Sequence, residues 1–396
     1  MKAVVIGPGR IGCGFAGHVL RESGFDVVFL ARNRVMADHL NRVGRYQVCL
    51  CDGRSASMAT VDGIRAVWLS DRDRAVAEIA EADVVITAVG AGALPELAPR
   101  ITAGLGARST AANVIAFENM RQVSERLRAL VMRQLPEEWW SVRHGFSGGL
   151  VERVVSKRLG DPSEDEPLVF VGDSCSTLRV DRDGLVEPFP AIRGMIAADQ
   201  FEAWVERKLY TYSAGHAAAA YLGHLKGYRY VHTAIRDPEI RGAVLQAMRE
   251  GQRGLAARYG REISGGEGLL RKILHRFENA ALADPIERVG RDPCRKLGVD
   301  ERLVGAARLA AQAGIAPRNL ALAAAAALCF FEPADPSAPA MRSEIDRVGT
   351  GEIIQRVCGL RPDRGLGKLV SDDCGSLLNG HDSNSLLLKL RPYLWS

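Results

Sequence analysis

No apolar run in the 396-residue chain reaches 18 residues, so no membrane-spanning helix is expected. The longest candidate, 320–331, suits a buried core helix instead. Nothing after the first apolar run resembles a cleavage site, so no signal peptide is expected. The eight cysteines stand at 13, 49, 51, 175, 294, 329, 358 and 374, with no C-x-x-C pair among them. Such a scatter points to reduced thiols in the cytoplasm and to no metal site. An excess of one charge is also lacking. Lys plus Arg is 52 and Asp plus Glu is 47, a net charge of +5, which argues against a nucleic-acid partner but suits small anions wherever basic residues cluster. There is no internal repeat and no low-complexity tract, although 321–327 is rich in alanine.

What remains is an ordinary globular composition, 47% hydrophobic and 25% charged. It excludes a disordered or fibrous chain and supplies a sizeable core. The length fits two or three domains, two being the simpler reading. The first half alternates short Val/Ile runs with helix-compatible stretches. The runs are 2–6, 26–30, 82–89 and 113–117, and 10–23 reads as the first helix, stopped by Gly24. Continuous apolar runs of this kind predict a parallel sheet buried on both faces. The stretch 46–69 reads as a β excursion. The second half reads as helices at 198–221, 238–259 and 304–313. The expected fold is therefore α/β: a doubly wound Rossmann-type sheet over 1–190 and a mostly α-helical substrate and catalytic domain over 191–396. The boundary follows the irregular acidic segment at 160–166 and the Pro188/Pro190 pair.

Gly7-Pro8-Gly9-Arg10-Ile11-Gly12 fits G-x-G-x-x-G between a predicted strand and a predicted helix, the context the motif requires. Gly7 permits the tight turn, Gly9 lets backbone approach a pyrophosphate, and Gly12 lets helix and strand pack closely. The free N–H groups at the helix start then hold the phosphate charge. Arg10, Ile11 and Val89 are grouped with these glycines as cofactor-binding residues. About 20 residues on, a carboxylate would hold the ribose 2′-hydroxyl of NAD. The chain instead reads Leu30-Ala31-Arg32-Asn33-Arg34. Arg32 and Arg34 suit a 2′-phosphate, so NADP(H) is expected to be preferred over NAD(H).

Lys208, Ser213 and His216 lie in one apolar helical segment. At α-helical spacing, Ser213 and His216 fall at roughly 140° and 80° from Lys208, on one face. Oxidising a secondary alcohol needs a base for the hydroxyl proton and donors for the developing alkoxide. A lysine whose pKa is lowered by burial can serve as that base, and His or Ser side chains can hold the oxygen. Asn119 follows a predicted parallel strand, at the edge where doubly wound sheets bind ligands.

Taken together, these residues resemble the polyol-specific long-chain dehydrogenases, the mannitol dehydrogenase family. The matching stretches include GPGRIGCGF at the start, AFENM at 116, VERKL and GHAAAAYLG from 205, RFEN at 276 and ERVGRDPCRKL at 287. The resemblance implies a metal-independent NAD(P)-dependent dehydrogenase acting on a polyol or sugar phosphate, with mannitol 1-phosphate and fructose 6-phosphate as the default pair. The family signature K-x4-N-x2-H places Lys208 as general base and His216 beside it, while Asn119 matches an asparagine that binds the reacting oxygen. Lys296 resembles a substrate-contacting lysine, and Arg288, Arg291 and Lys296 are expected to meet a substrate anion.

Three positions depart from the family. Ser213 replaces the signature asparagine, Ala31 replaces an acidic residue, and Gly148-Gly149 replaces a polar pair, which either removes substrate contacts or makes room for a bulkier substrate. These departures leave two alternatives open: a relative acting on another polyol, a sugar acid or a cyclic or amino-sugar intermediate, and a cofactor-binding sensor that has lost turnover. A monomer or small homo-oligomer is expected.

Overall fold

The computed structural model describes residues 1–53, 55–118, 120–134 and 142–379. The chain divides into two compact units, one ending at Glu202 and one beginning at Ala203.

The first unit is built on an eight-stranded sheet. Six strands run parallel: β1 (Lys2–Ile6), β2 (Asp26–Ala31), β5 (Ile64–Trp68), β6 (Val84–Thr87), β7 (Asn113–Ala116) and β8 (Gly145–Val151). Their order across the sheet is β5-β2-β1-β6-β7-β8. Counted among the parallel strands alone this is 3-2-1-4-5-6, the order of a doubly wound dinucleotide fold. Two further strands extend the β8 edge: β11 (Leu178–Asp181), antiparallel to β8, and β12 (Met195–Ala198), parallel to β11. Because β12 still pairs into this sheet, the first unit continues past the prolines near residue 190.

The apolar runs give this sheet because they leave no polar face. All four residues of β6 and of β7 are buried. Alternate residues feed two cores. Val5, Val27, Phe29, Ile86 and Ile115 pack with Phe15 and Val19 on one side. Val4, Ile6, Val28, Leu30, Val85 and Val114 pack with Leu97, Ile101 and Leu127 on the other.

The β excursion divides between two sheets. β5 joins the main sheet beside β2, whereas β3 (Arg45–Cys51) and β4 (Ala56–Asp62) form an antiparallel pair in a second sheet. That sheet is completed by β9 (Val155–Leu159) and β10 (Val169–Gly172), in the order β4-β3-β10-β9. Its Tyr46 is fully buried and donates its hydroxyl to the Cys13 carbonyl at 2.9 Å, tying the second sheet to the helix that follows the glycine turn.

The second unit is helical. Its helices Pro238–Ser264 and Arg318–Leu328 form the centre of one large apolar core. Every residue from Asn319 to Leu328 is buried, as the apolar run at 320–331 predicts. The start of that helix receives a buried carboxylate: Glu250 accepts from the Asn319 and Leu320 N–H groups, both at 2.9 Å. A carboxylate there satisfies otherwise orphaned donors and complements the helix dipole. The expected helix at 238–259 continues to Ser264, with non-helical backbone at Gly260 (φ 79°) marking a kink. No helix among the described residues is long and apolar enough to cross a membrane.

Candidate active site

In the first unit the site grows from the carboxyl ends of β1, β2 and β6. The chain leaves β1 into Gly7, whose φ of 101° is disfavoured for any residue with a Cβ. A Cβ on Gly12 would stand 1.9 Å from the Gly7 carbonyl oxygen, so only glycine lets the helix start this close to the strand. A Cβ on Gly9 would meet nothing within 4 Å. The space above Gly9 is open, and it lies beside β1 and β6, where the strand order reverses and doubly wound sheets take their ligands. This arrangement fits a dinucleotide pyrophosphate. Past β6, the Val89 and Gly90 N–H groups donate to the buried carboxylate of Glu118, at 2.9 and 2.7 Å. Glu118 thereby fixes the turn that carries Val89, and Arg10 donates to the Ser156 carbonyl at 3.1 Å.

Beyond β2, Arg32 and Arg34 are both exposed. Asn33 between them caps the helix Arg34–Val43, its side chain accepting from the Val35 N–H. The Arg34 guanidinium lies over the Trp68 ring, 5.4 Å from its centroid, and 3.7 Å from the Asp38 carboxylate. The Trp68 indole N–H donates to the Arg32 carbonyl at 3.3 Å. Stacking on Trp68 holds one cation near the position where a ribose 2′-substituent lies in this fold class.

In the second unit, Lys208, Ser213 and His216 lie along one continuous helical path, but its turn is not uniform. Lys208–Ser213 is a π-helical segment between α-helical neighbours. There the hydrogen bonds span five residues rather than four, so Lys208 and Ser213, five apart, stand about one turn from each other. The angle expected from α-helical spacing therefore does not apply to Ser213. Lys208, Ser213 and His216 are each half-buried.

His216 is held from two sides. Its ring stacks on Phe277, with centroids 5.0 Å apart and planes 12° apart. Its Nε2 lies 3.2 Å from Oδ2 of Asp284. The other carboxylate oxygen of Asp284 accepts from Arg288, through Nε at 2.7 Å and through a terminal guanidinium nitrogen. Burial opposes the charge on Asp284, but His216 and Arg288 outweigh it and hold the carboxyl at about 2. Burial lowers the His216 pKa, and Asp284 works in the opposite direction. Sequence reasoning missed Asp284 and Phe277. The only local sign of Asp284 is its position four residues before Arg288, where a helical turn allows an ion pair.

The basic cluster is largely occupied. Arg288 engages Asp284, Arg295 engages Asp292, and Arg302 engages Glu301. Lys296 is buried, and its ammonium donates to the main-chain carbonyls of Val289, at 2.8 Å, and Arg291. Burial and the nearby Arg302 and Arg295 push its pKa down to about 7. Arg291 is exposed and pairs with no carboxylate among the described residues. Asn119 lies outside the described residues. No group of three His, Cys, Asp or Glu side chains suited to a metal ion occurs among the described residues.

The glycine pair differs from expectation. A Cβ on Gly148 would stand 2.5 Å from the Phe201 ring, and one on Gly149 would stand 2.3 Å from the Phe117 ring. The missing side chains are replaced by the protein's own aromatics, so the pair does not open room for a bulkier substrate.

Two family models match the chain. The mannitol dehydrogenase Rossmann domain covers residues 1–192, and the mannitol dehydrogenase C-terminal domain covers residues 200–349. Among solved structures, the chain is similar to Pseudomonas fluorescens mannitol 2-dehydrogenase in ternary complex with NAD and D-mannitol. The TM-score is 0.79 at 17% identity, covering 99% of this chain and 94% of that one. It is also similar to a D-sorbitol dehydrogenase in substrate-free form, with a TM-score of 0.77 at 15% identity, covering 97% of this chain and 94% of that one. At these identities the likeness shows a common fold. With both domain models matched in order, the chain belongs to the mannitol dehydrogenase family of NAD(P)-dependent oxidoreductases that act on CH–OH groups.

Proposed function

We propose that this protein interconverts a secondary alcohol and a ketone on a polyol or sugar phosphate in the cytoplasm, with NADP(H) preferred over NAD(H). A bound nicotinamide would supply the hydride acceptor or donor. Lys208 takes the hydroxyl proton in oxidation and returns it in reduction, the work of a general acid/base. Asn119 and Ser213 are the groups that hold the alkoxide-like reacting oxygen, and His216 is the third substrate-facing polar group beside them. Arg291 and Arg288, on the segment shaped by Lys296, are the groups for a substrate anion. The cofactor preference is supported by the exposed Arg32 and Arg34 beyond β2, where Ala31 offers no carboxylate.

The observation that carries this reading is Lys208 at the head of a π-helical turn, five residues before Ser213 and on the same helix as His216. The test is Lys208→Ala. Its kcat is expected to fall by about three orders of magnitude, the middle of the range for general acid–base catalysis, with the dissociation constant for NADPH unchanged. Turnover near that of the wild type would remove Lys208 from the mechanism.

Ser213 favours a second reading within the same chemistry, in which the substrate differs from the family default. A hydroxyl reaches less far than an amide, so the oxygen it holds must approach the helix more closely. Mannitol 1-phosphate outrun by an unphosphorylated polyol, a sugar acid or a cyclic or amino-sugar intermediate would establish this reading.

A further inference from the structure

We propose that Asp284 is a positioning residue that, steadied by Arg288, locks His216 in the tautomer with its proton on Nε2. His216 then offers Nδ1 as an acceptor for a substrate hydroxyl, rather than a donor for a carbonyl oxygen. This rests on the reading of His216 as a substrate-facing group.

The geometry leaves little choice of proton. Asp284 is buried and carries two oxygens with separate tasks: Oδ2 faces His216 Nε2 at 3.2 Å, and Oδ1 takes the Arg288 guanidinium. An ionised carboxylate is acceptor-only. The proton in the His216 contact therefore belongs to the imidazole. A neutral imidazole with its proton on Nε2 has a lone pair on Nδ1.

Two features keep this arrangement fixed. Phe277 stacks on one face of the ring, and Tyr212 lies near it with centroids 5.5 Å apart, so rotation about the side chain displaces packed aromatics. Arg288 balances the charge of Asp284, which would otherwise draw a second proton onto His216. The charged and titratable groups around His216 are Asp284, Arg288 and Lys296, with His232 lining the same small cavity and Arg276 over the Tyr212 ring. Lys208 stands on the same helical path.

The consequence concerns substrate class. A group that meets a histidine lone pair must itself carry a hydrogen. Such a site selects a molecule with a hydroxyl beside the reacting carbon, and it discriminates against a simple ketone or a mono-alcohol. A site that leaves one of its polar groups unpaired rejects the analogue strongly.

The test uses full-length protein labelled with 15N-histidine, in the wild type and in Asp284→Asn, with His216→Gln to identify the signal. The wild type is expected to show His216 protonated on Nε2 and bare on Nδ1. Asp284→Asn is expected to titrate at lower pH than the wild type, because the carboxylate that favours imidazolium is gone. The same variant is expected to lose at least tenfold in kcat/KM on a vicinal-diol substrate, with its dissociation constant for NADPH unchanged. A wild-type signal with the proton on Nδ1, or a His216 titration identical in the two proteins, overturns the proposal. If the resonances behave as stated and no alcohol or ketone is turned over, the proposed reaction fails instead and the positioning stands. Should Asp284→Asn fold poorly, Arg288→Met reports on the same link, with His216 then titrating at higher pH.

Discussion

Gly12 and Gly7 are in direct contact: the α-carbon of one lies so close to the carbonyl of the other that a Cβ at Gly12 would stand 1.9 Å from the oxygen. Gly9, between them in sequence, faces open space. Similar substitutions at the two positions should therefore fail for different reasons. Gly12→Ala must displace strand or helix and should lower stability by about 1–3 kcal/mol, the usual cost of overpacking, measured by urea unfolding. Gly9→Ala should keep the midpoint of unfolding but weaken NADPH binding about tenfold or more, because the added methyl takes the open space proposed for the pyrophosphate. A Gly9→Ala protein with unaltered cofactor affinity would place the phosphates elsewhere.

In the proposed reading, cofactor choice turns on the exposed cations beyond β2. Removing a charged hydrogen-bond donor to phosphate costs about 1.5–3 kcal/mol, or roughly 10–150-fold in affinity. Arg34→Ala and Arg32→Ala should each lower kcat/KM for NADPH by a factor in that range and leave NADH nearly unchanged. Ala31→Asp should favour NADH by supplying the missing carboxylate. A wild-type preference for NADH would contradict this account of the two arginines.

His144 gives the first unit an acid-sensitive element. It is buried and accepts from the Ala112 N–H through Nδ1 at 3.2 Å. Burial, with Arg108 nearby, lowers its pKa to about 4. The unfolded chain titrates near 6.5, so as pH falls the unfolded state takes up the proton first. The stability due to neutral His144 is full above about pH 6.5 and is lost as pH falls towards 4. Between pH 7.5 and pH 5 the loss is about 2 kcal/mol. His144→Asn keeps an acceptor for Ala112 and does not titrate. Its unfolding free energy should fall by about 2 kcal/mol less than that of the wild type over this interval.

Gly149 packs against the ring of Phe117 rather than lining a vacancy. Gly149→Ser should therefore reduce stability by about 1–3 kcal/mol, read as a lower Tm. It should not restore a family-like substrate preference unless Phe117 is reduced as well. A stable Gly149→Ser protein with changed substrate preference would return the glycine pair to a direct role in specificity.

Much of the first unit was legible in the sequence because its strands are continuous Val/Ile runs closed by glycines. Lys2–Ile6 was read at its observed limits, and the glycine turn falls where the motif requires it. The second sheet was legible only in part: β3 and β4 lie in the stretch read as a β excursion, but their separation from the main sheet was not visible. Its β9 and β10 come from an irregular stretch far along the chain and pair with β3, and pairing between distant segments leaves little local pattern. On the helical path from Lys208 to His216, residue identity and spacing were readable, whereas the π-helical turn depends on hydrogen bonding that spacing does not reveal. Asp284 was missed because its partnership with His216 exists only after the intervening helices have packed. The neighbours of Gly148 and Gly149 were hidden for the same reason: Phe117 and Phe201 fill that space from other segments.

The most direct test follows absorbance at 340 nm with purified protein, using polyols, polyol phosphates, sugar acids and the corresponding ketones, with NADPH and NADH. Wild-type protein is predicted to turn over at least one substrate with a hydroxyl beside the reacting carbon, faster with NADPH, and Lys208→Ala is predicted to lose that turnover while still binding NADPH. No turnover of any member of the panel with either cofactor, from folded protein that binds them, would contradict the account.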